Sequence, residues 1–141
     1  MGYAGYVGAA VSAVDALLEG RRAAESLMVD TCRITSPGET VTDPETGEVT
    51  NERVTVYEGK CKVQSREGAA SNPEAGEHSF TVVSRQVHIP VNAADVRDGF
   101  EVEITDSLLN AFTVGKVYRV EGFTPDSFDT AFRLPVVEIT G

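Results

Sequence analysis

Cys61 lies between Lys60 and Lys62 in the stretch YEGKCKVQS, Tyr57 to Ser65, and these are two of only three lysines in a strongly acidic chain. A nucleophilic thiolate wants cationic neighbours, because they lower its pKa, but it also needs a base and a set of donors placed for chemistry. His78 and His88 stand in no recognisable arrangement with the cysteine, and the chain has no C-x-x-C or H-x-x-x-H spacing. Glu101 with Glu103, and Asp126 with Asp129, are carboxylate pairs of the sort an acidic surface carries in water. The segment DPETGE lacks the ligand series of a calcium loop and its closing glutamate, so it reads as a turn. No phosphate-binding glycine loop, dinucleotide fingerprint or serine elbow occurs, and Thr113 to Lys116 is not a phosphate loop. No enzyme, cofactor or metal site is expected.

The alternative for Cys61 is a strand. Side chains alternate across β-structure, which sets Lys60, Lys62 and Gln64 on one face and Cys61 and Val63 on the other. Cys61 then faces a core, near Cys32 on a neighbouring strand, and the two lysines become a rare basic edge. From Glu39 to Glu58 the chain carries six acids and one base, Arg53, whereas Lys60, Lys62 and Arg66 follow with no acid between them.

The elements that must position these residues follow from periodicity. Val7, Val11, Val14 and Leu18, then Leu17, Ala24, Leu27 and Met28, recur at helical spacings against Asp15, Glu19, Arg22 and Ser26, predicting a helix from about Gly8 to Met28. One amphipathic helix cannot bury its stripe alone, so it must lie on a sheet or on another subunit. Val11, Val14 and Leu18 are the candidate docking face. After Met28 the period changes to two: Cys32 and Ile34 oppose Thr31, Arg33 and Thr35. DPETGEVT is an acidic turn in which Gly47 can take a positive φ. REGAASNPEAGE, Arg66 to Glu77, has no periodicity and is expected to be a loop. HSFTVVSRQVHIPVN is a strand long enough to bend, Gly99 serves a turn, and Phe100, Val102 and Ile104 face inward against Glu101, Glu103 and Thr105. SLLNAFT suggests a short helical turn before two last strands. The whole reads as one domain: a tail and helix over 1–28, then a mainly β unit over 29–141, an antiparallel barrel or sandwich of six to seven strands.

Composition narrows the function. A chain of 141 residues, 41% hydrophobic and 24% charged with no tryptophan, suits one soluble domain. No apolar run is long enough to span a bilayer, and the start lacks a basic leader, so synthesis in the cytosol and reduced thiols are expected. A net charge of −10 argues against a phosphate-gripping surface, though an acidic wall suits a polymer that must slide past.

The ordered segments VDALLEGRRAAESLMVDTCRIT, DPETGEVT, YEGKCKVQ, VHIPVNAADVRDGFEVEITDSLL and KVYRVEGFTPDSFDTAFRLPVVEI together resemble the head-to-tail stopper, or head-closure, proteins of tailed bacteriophages, most of all those of phages infecting actinobacteria. The family's Gly-Asp after its Val-Pro strand stands here as Asp98-Gly99 after Ile89-Pro90-Val91. The resemblance implies a virion protein made in the host bacterial cytoplasm. Its β-barrel subunit would form a homo-oligomeric ring, sixfold or twelvefold, in the neck below portal and adaptor and above the tail terminator. The ring closes the channel on double-stranded DNA without gripping it specifically, and no membrane is involved. The candidate channel-gating loop is Arg66, Glu67, Asn72, Pro73, Glu74 and Glu77, with the acidic tip from Glu39 to Glu52 second. Charge segregation makes Lys60 and Lys62, against Glu101 and Glu103 or the acids of Glu45 to Glu52, the candidate subunit interface. A tail terminator or other connector ring is the neighbouring reading, and a calcium-binding β-module the one from another class.

Overall fold

The computed structural model describes the backbone of residues 3–70 and 80–139, and side chains over 12–65 and 84–139. Helix α1 spans Tyr3–Ser26. Eight strands follow among the described residues: β1 Asp30–Ser36, β2 Thr40–Thr42, β3 Val49–Asn51, β4 Val54–Ala70, β5 Phe80–Ile89, β6 Glu101–Ser107, β7 Val117–Val120 and β8 Phe132–Glu138. Six of them close an antiparallel barrel in the order β1-β4-β5-β8-β7-β6, and β2 pairs with β3 in a separate hairpin.

Alternation builds the barrel. Cys32 and Ile34 of β1, Cys61 of β4, Val87 and Ile89 of β5, Val102 and Ile104 of β6, Tyr118 and Val120 of β7, and Leu134 of β8 all point inward and are essentially sealed from water. Each buried aliphatic side chain of this kind contributes about 1.5–3 kcal/mol of transfer free energy, which is why a period of two fixes the register so firmly. The connection from β5 to β6 crosses the end of the barrel. Its Val96 is buried, and Val91, Ala93, Ala94 and Phe100 pack against the same core. Phe123 stacks at a tilt on Phe132 with ring centroids 5.2 Å apart, closing that side.

β4 is the long member, and it changes partner part-way. Residues from Val54 to Cys61 pair with β1. From Lys62 the strand pairs with β5 instead, out to Ala70 opposite Phe80. The expected loop therefore begins later than the sequence suggests: Arg66 and Glu67 are strand residues opposite Ser84 and Val83. A two-stranded ribbon satisfies their backbone groups, a possibility that glycine and alanine content hides. Asn72, Pro73, Glu74 and Glu77 lie outside the described residues.

The β2–β3 hairpin is held at its base and open at its tip. A Cβ at Gly38 would fall 1.1 Å from the carbonyl oxygen of Glu52, so only glycine allows the two legs to approach there. Arg53 clamps the base to the barrel, with Nε donating to Thr35 Oγ1 at 2.9 Å and Nη1 2.6 Å from Glu101 Oε2. At the tip Gly47 turns with φ +73° while Asp43 Oδ1 accepts from the Glu45 amide. Every residue from Glu39 to Glu52 is exposed.

Candidate functional site

The helix reaches the barrel with one face only. Leu17, Gly20, Arg21, Ala24 and Glu25 are half-buried at the spacing of a single helical stripe. Gly20 permits the approach, since a Cβ there would sit 3.0 Å from Thr130 Cγ2. Arg21 Nε donates to the Asp129 carbonyl at 3.0 Å, and Glu25 meets Lys60 Nζ at 2.9 Å. The predicted docking residues Val14 and Leu18 flank this stripe along its edge and are 47% and 42% exposed, while the side chain of Val11 lies outside those described. The apolar pattern of the helix is thus only partly spent on its own barrel, and the residues at the edge of the contact stay in water.

A second apolar surface sits on the connection from β6 to β7. Leu108, Leu109 and Phe112 are 77%, 78% and 91% exposed around a single 3-10 turn, Ala111–Thr113, which Asn110 caps by accepting from the Phe112 amide. The sequence already carried this signal as two leucines and a phenylalanine in a segment with no period to bury them.

Register decides the charged candidates. Arg33 of β1 stands opposite Glu58 of β4 and Glu103 of β6, and it pairs with both, at 3.8 Å and 3.2 Å. Glu101 is held by Arg53 and Lys60 by Glu25. Three of the four predicted interface residues, Lys60, Glu101 and Glu103, are therefore partnered within the chain: Glu103 across the β1–β6 pair, Lys60 by the helix and Glu101 by the base of the hairpin. Lys62 differs: among the described residues it has no carboxylate partner.

Lys62 belongs to a row that crosses three strands. It stands opposite His88 on β5, and His88 stands opposite Arg133 on β8. These three, with Gln64, Gln86 and the end of α1, line a cleft of about 350 Å³. His88 faces outward yet is only 7% exposed, with Nε2 3.3 Å from Gln86 Oε1. Burial, then the neighbouring Lys62 and Arg133, lower its pKa to about 4, so the ring is neutral near pH 7. Arg133 donates to Thr130 Oγ1 at 2.9 Å and has no carboxylate partner among the described residues. Sequence alternation placed His88 on a strand but gave no sign of its covered, cation-flanked setting.

The thiols carry no chemistry of this kind. Cys32 and Cys61 are free and buried in the barrel, and the hydrogen bond that the Cys61 thiol shares with Cys32, followed by burial, pushes its pKa up and away from reactivity. A larger cleft of about 590 Å³ lies by the β5–β6 connection, but its acids are engaged locally, Asp95 by Arg97 and Asp98 by the Gly122 amide. Among the described residues no three His, Cys, Asp or Glu side chains gather in a metal-holding group, and no helix is long and apolar enough to cross a membrane. The hairpin tip uses its Asp43 carboxylate to bond its own backbone.

Residues 20–137 match the model of a family described as a family of unknown function (DUF6093). No curated protein and no solved structure matches the chain.

Proposed function

Because this chain belongs to the DUF6093 family, whose description states no function, we propose its role from its own surfaces and its resemblance to phage neck proteins: it is a structural subunit that assembles with copies of itself into the head-to-tail stopper ring of a phage neck. The observation that carries this reading is the exposed apolar surface on two separate elements, Leu108, Leu109 and Phe112 on one and Val14 and Leu18 on the other. Scattered exposed aliphatics are ordinary, but three large ones on a single tight turn mark a contact surface. Burying them against a neighbour contributes about 1.5–3 kcal/mol per side chain, a useful part of the roughly 4–15 kcal/mol that association costs. Two different surfaces on one subunit are what a heterologous, head-to-tail contact uses, and such contacts close into rings.

The ring lies between portal or adaptor and tail terminator, with DNA passing through its lumen. A net charge of −10, with 22 acids against 12 bases, suits a lumen that excludes a phosphate backbone by volume and repulsion. The ribbon in which Arg66–Ala70 of β4 pair with Phe80–Ser84 of β5, and the acidic hairpin, whose sheet is separate from the barrel, are the elements that obstruct the channel.

A symmetric cryo-electron microscopy reconstruction of the neck, in particles encoded by the same genome, tests this. A ring of barrels directly below the portal or adaptor is the expected result. Barrels seated on the tail tube would make the chain a terminator instead, and absence of the chain from purified particles by mass spectrometry would overturn the reading.

A further inference from the structure

Among the charges of the described residues that no ion pair neutralises, two groups of opposite sign are each gathered at one place. One is the cleft row, where Lys62 and Arg133 flank buried His88 and Glu25, the nearest helix acid, is already taken by Lys60. The other is the β2–β3 hairpin tip, where Glu45 and Glu48 are exposed and pair with no cation. Six other bases, by contrast, each hold a carboxylate of their own chain. β2 and β3 pack chiefly on each other, and their base is clamped to the barrel end that carries Thr35 and Gly99. The cleft instead opens on the side wall beside the last turn of α1.

We propose that the cleft between α1 and strands β4, β5 and β8 is the receptor for the acidic hairpin tip of a second copy of this chain, with Lys62 and Arg133 receiving Glu45 and Glu48. The cleft of about 350 Å³ holds one or two carboxylate side chains, not a whole element, and the tip of a two-stranded hairpin presents that much. Gln64 and Gln86 supply amide groups that can donate to the carboxylate oxygens that the cations leave unfilled. Exposed Leu27 at the rim meets the apolar part of the hairpin, where Val41 and Val49 are also exposed. The contact is heterologous, since tip and cleft are different surfaces, and it repeats from copy to copy in one direction around a ring. It rests on the ring reading only in taking a second copy as the occupant.

The test uses the full chain in four forms: wild type, Lys62→Glu with Arg133→Glu, Glu45→Lys with Glu48→Lys, and all four substitutions together. All the substituted positions lie outside the barrel core, and far-UV circular dichroism checks that each form is folded. In sedimentation at low salt, each reversed pair should weaken self-association by about tenfold or more, and the combined form should regain most of it. Carbodiimide should cross-link Lys62 to Glu45 or Glu48 between chains of the wild type. The His88 resonance should move with protein concentration. Equal self-association in all four forms, a wild type that stays monomeric without the cross-link, or a His88 resonance that responds to inorganic phosphate and never to protein concentration would each overturn the docking. Such results leave the neck reading to the particle reconstruction, whose own failure does not depend on these variants.

Discussion

Lowering the pH from about 7 to 4 should remove about 3 kcal/mol of stability through His88 alone. Unfolded, the imidazole titrates near its ordinary value of 6.5; folded, burial and the flanking Lys62 and Arg133 hold it at about 4. Between those two values the unfolded chain binds the proton and the native chain does not, so stability falls as pH falls through this window. At pH 4 the proton-binding polynomial of the unfolded state exceeds that of the folded state by a factor of about 160, which is about 3 kcal/mol. Below about pH 4 both states bind the proton and the loss levels off. Urea denaturation of the wild type and of His88→Gln, at several pH values across the window, separates this group from the carboxylates and from His78, which both proteins share. Glutamine keeps a polar group beside Gln86 but cannot ionise. Wild type should lose the extra 3 kcal/mol or so and the variant should not; parallel pH profiles would refute the claim that the covered outer face of β5 excludes a third positive charge.

Three further outcomes follow from the packing. Leu134→Ala, emptying a fully buried position in the barrel, should cost about 2–5 kcal/mol in urea denaturation with an unchanged m-value. Arg53→Ala removes the ion pair to Glu101 and the bonds to Thr35 and Gly99, so amide exchange from Thr40 to Asn51 should accelerate well before the barrel opens, at a cost of about 1–3 kcal/mol. Leu108→Ser with Phe112→Ser should leave monomer stability within about 0.5 kcal/mol and reduce self-association, read by urea denaturation and sedimentation.

Local chemistry carried most of the fold. The alternation around Cys32, Ile34, Val102 and Ile104 has only one way to face a core, and Gly47 and Gly99 adopt the positive φ that their turns require. A closed barrel in place of a sandwich was not legible, because closure is a relation between β1 and β6, strands about seventy residues apart. The candidate surface was legible in part for the same reason. Lys62 was visible as a base in an acidic chain, but whether a base is free depends on which strand lies opposite: Arg33 meets two glutamates, while Lys62 meets a histidine and Arg133 beyond it. The helix shows the limit differently. Its hydrophobic spacing identified an amphipathic segment but not that the barrel would take Leu17 and Ala24 and leave Val14 and Leu18 in water.

Closure of the sheet also governs how copies of this chain can add to one another. Each of the six barrel strands has two hydrogen-bonded neighbours, but β4 meets its two in succession, β1 along Val54–Cys61 and β5 from Lys62 onward. Among the described residues, edges without a ladder partner therefore remain on β2 and β3, along Val54–Cys61 of β4 on the side away from β1, and on the ribbon where Arg66–Ala70 meets Phe80–Ser84. A partner that binds the described part of this protein by extending a β-sheet has to do so at one of those edges.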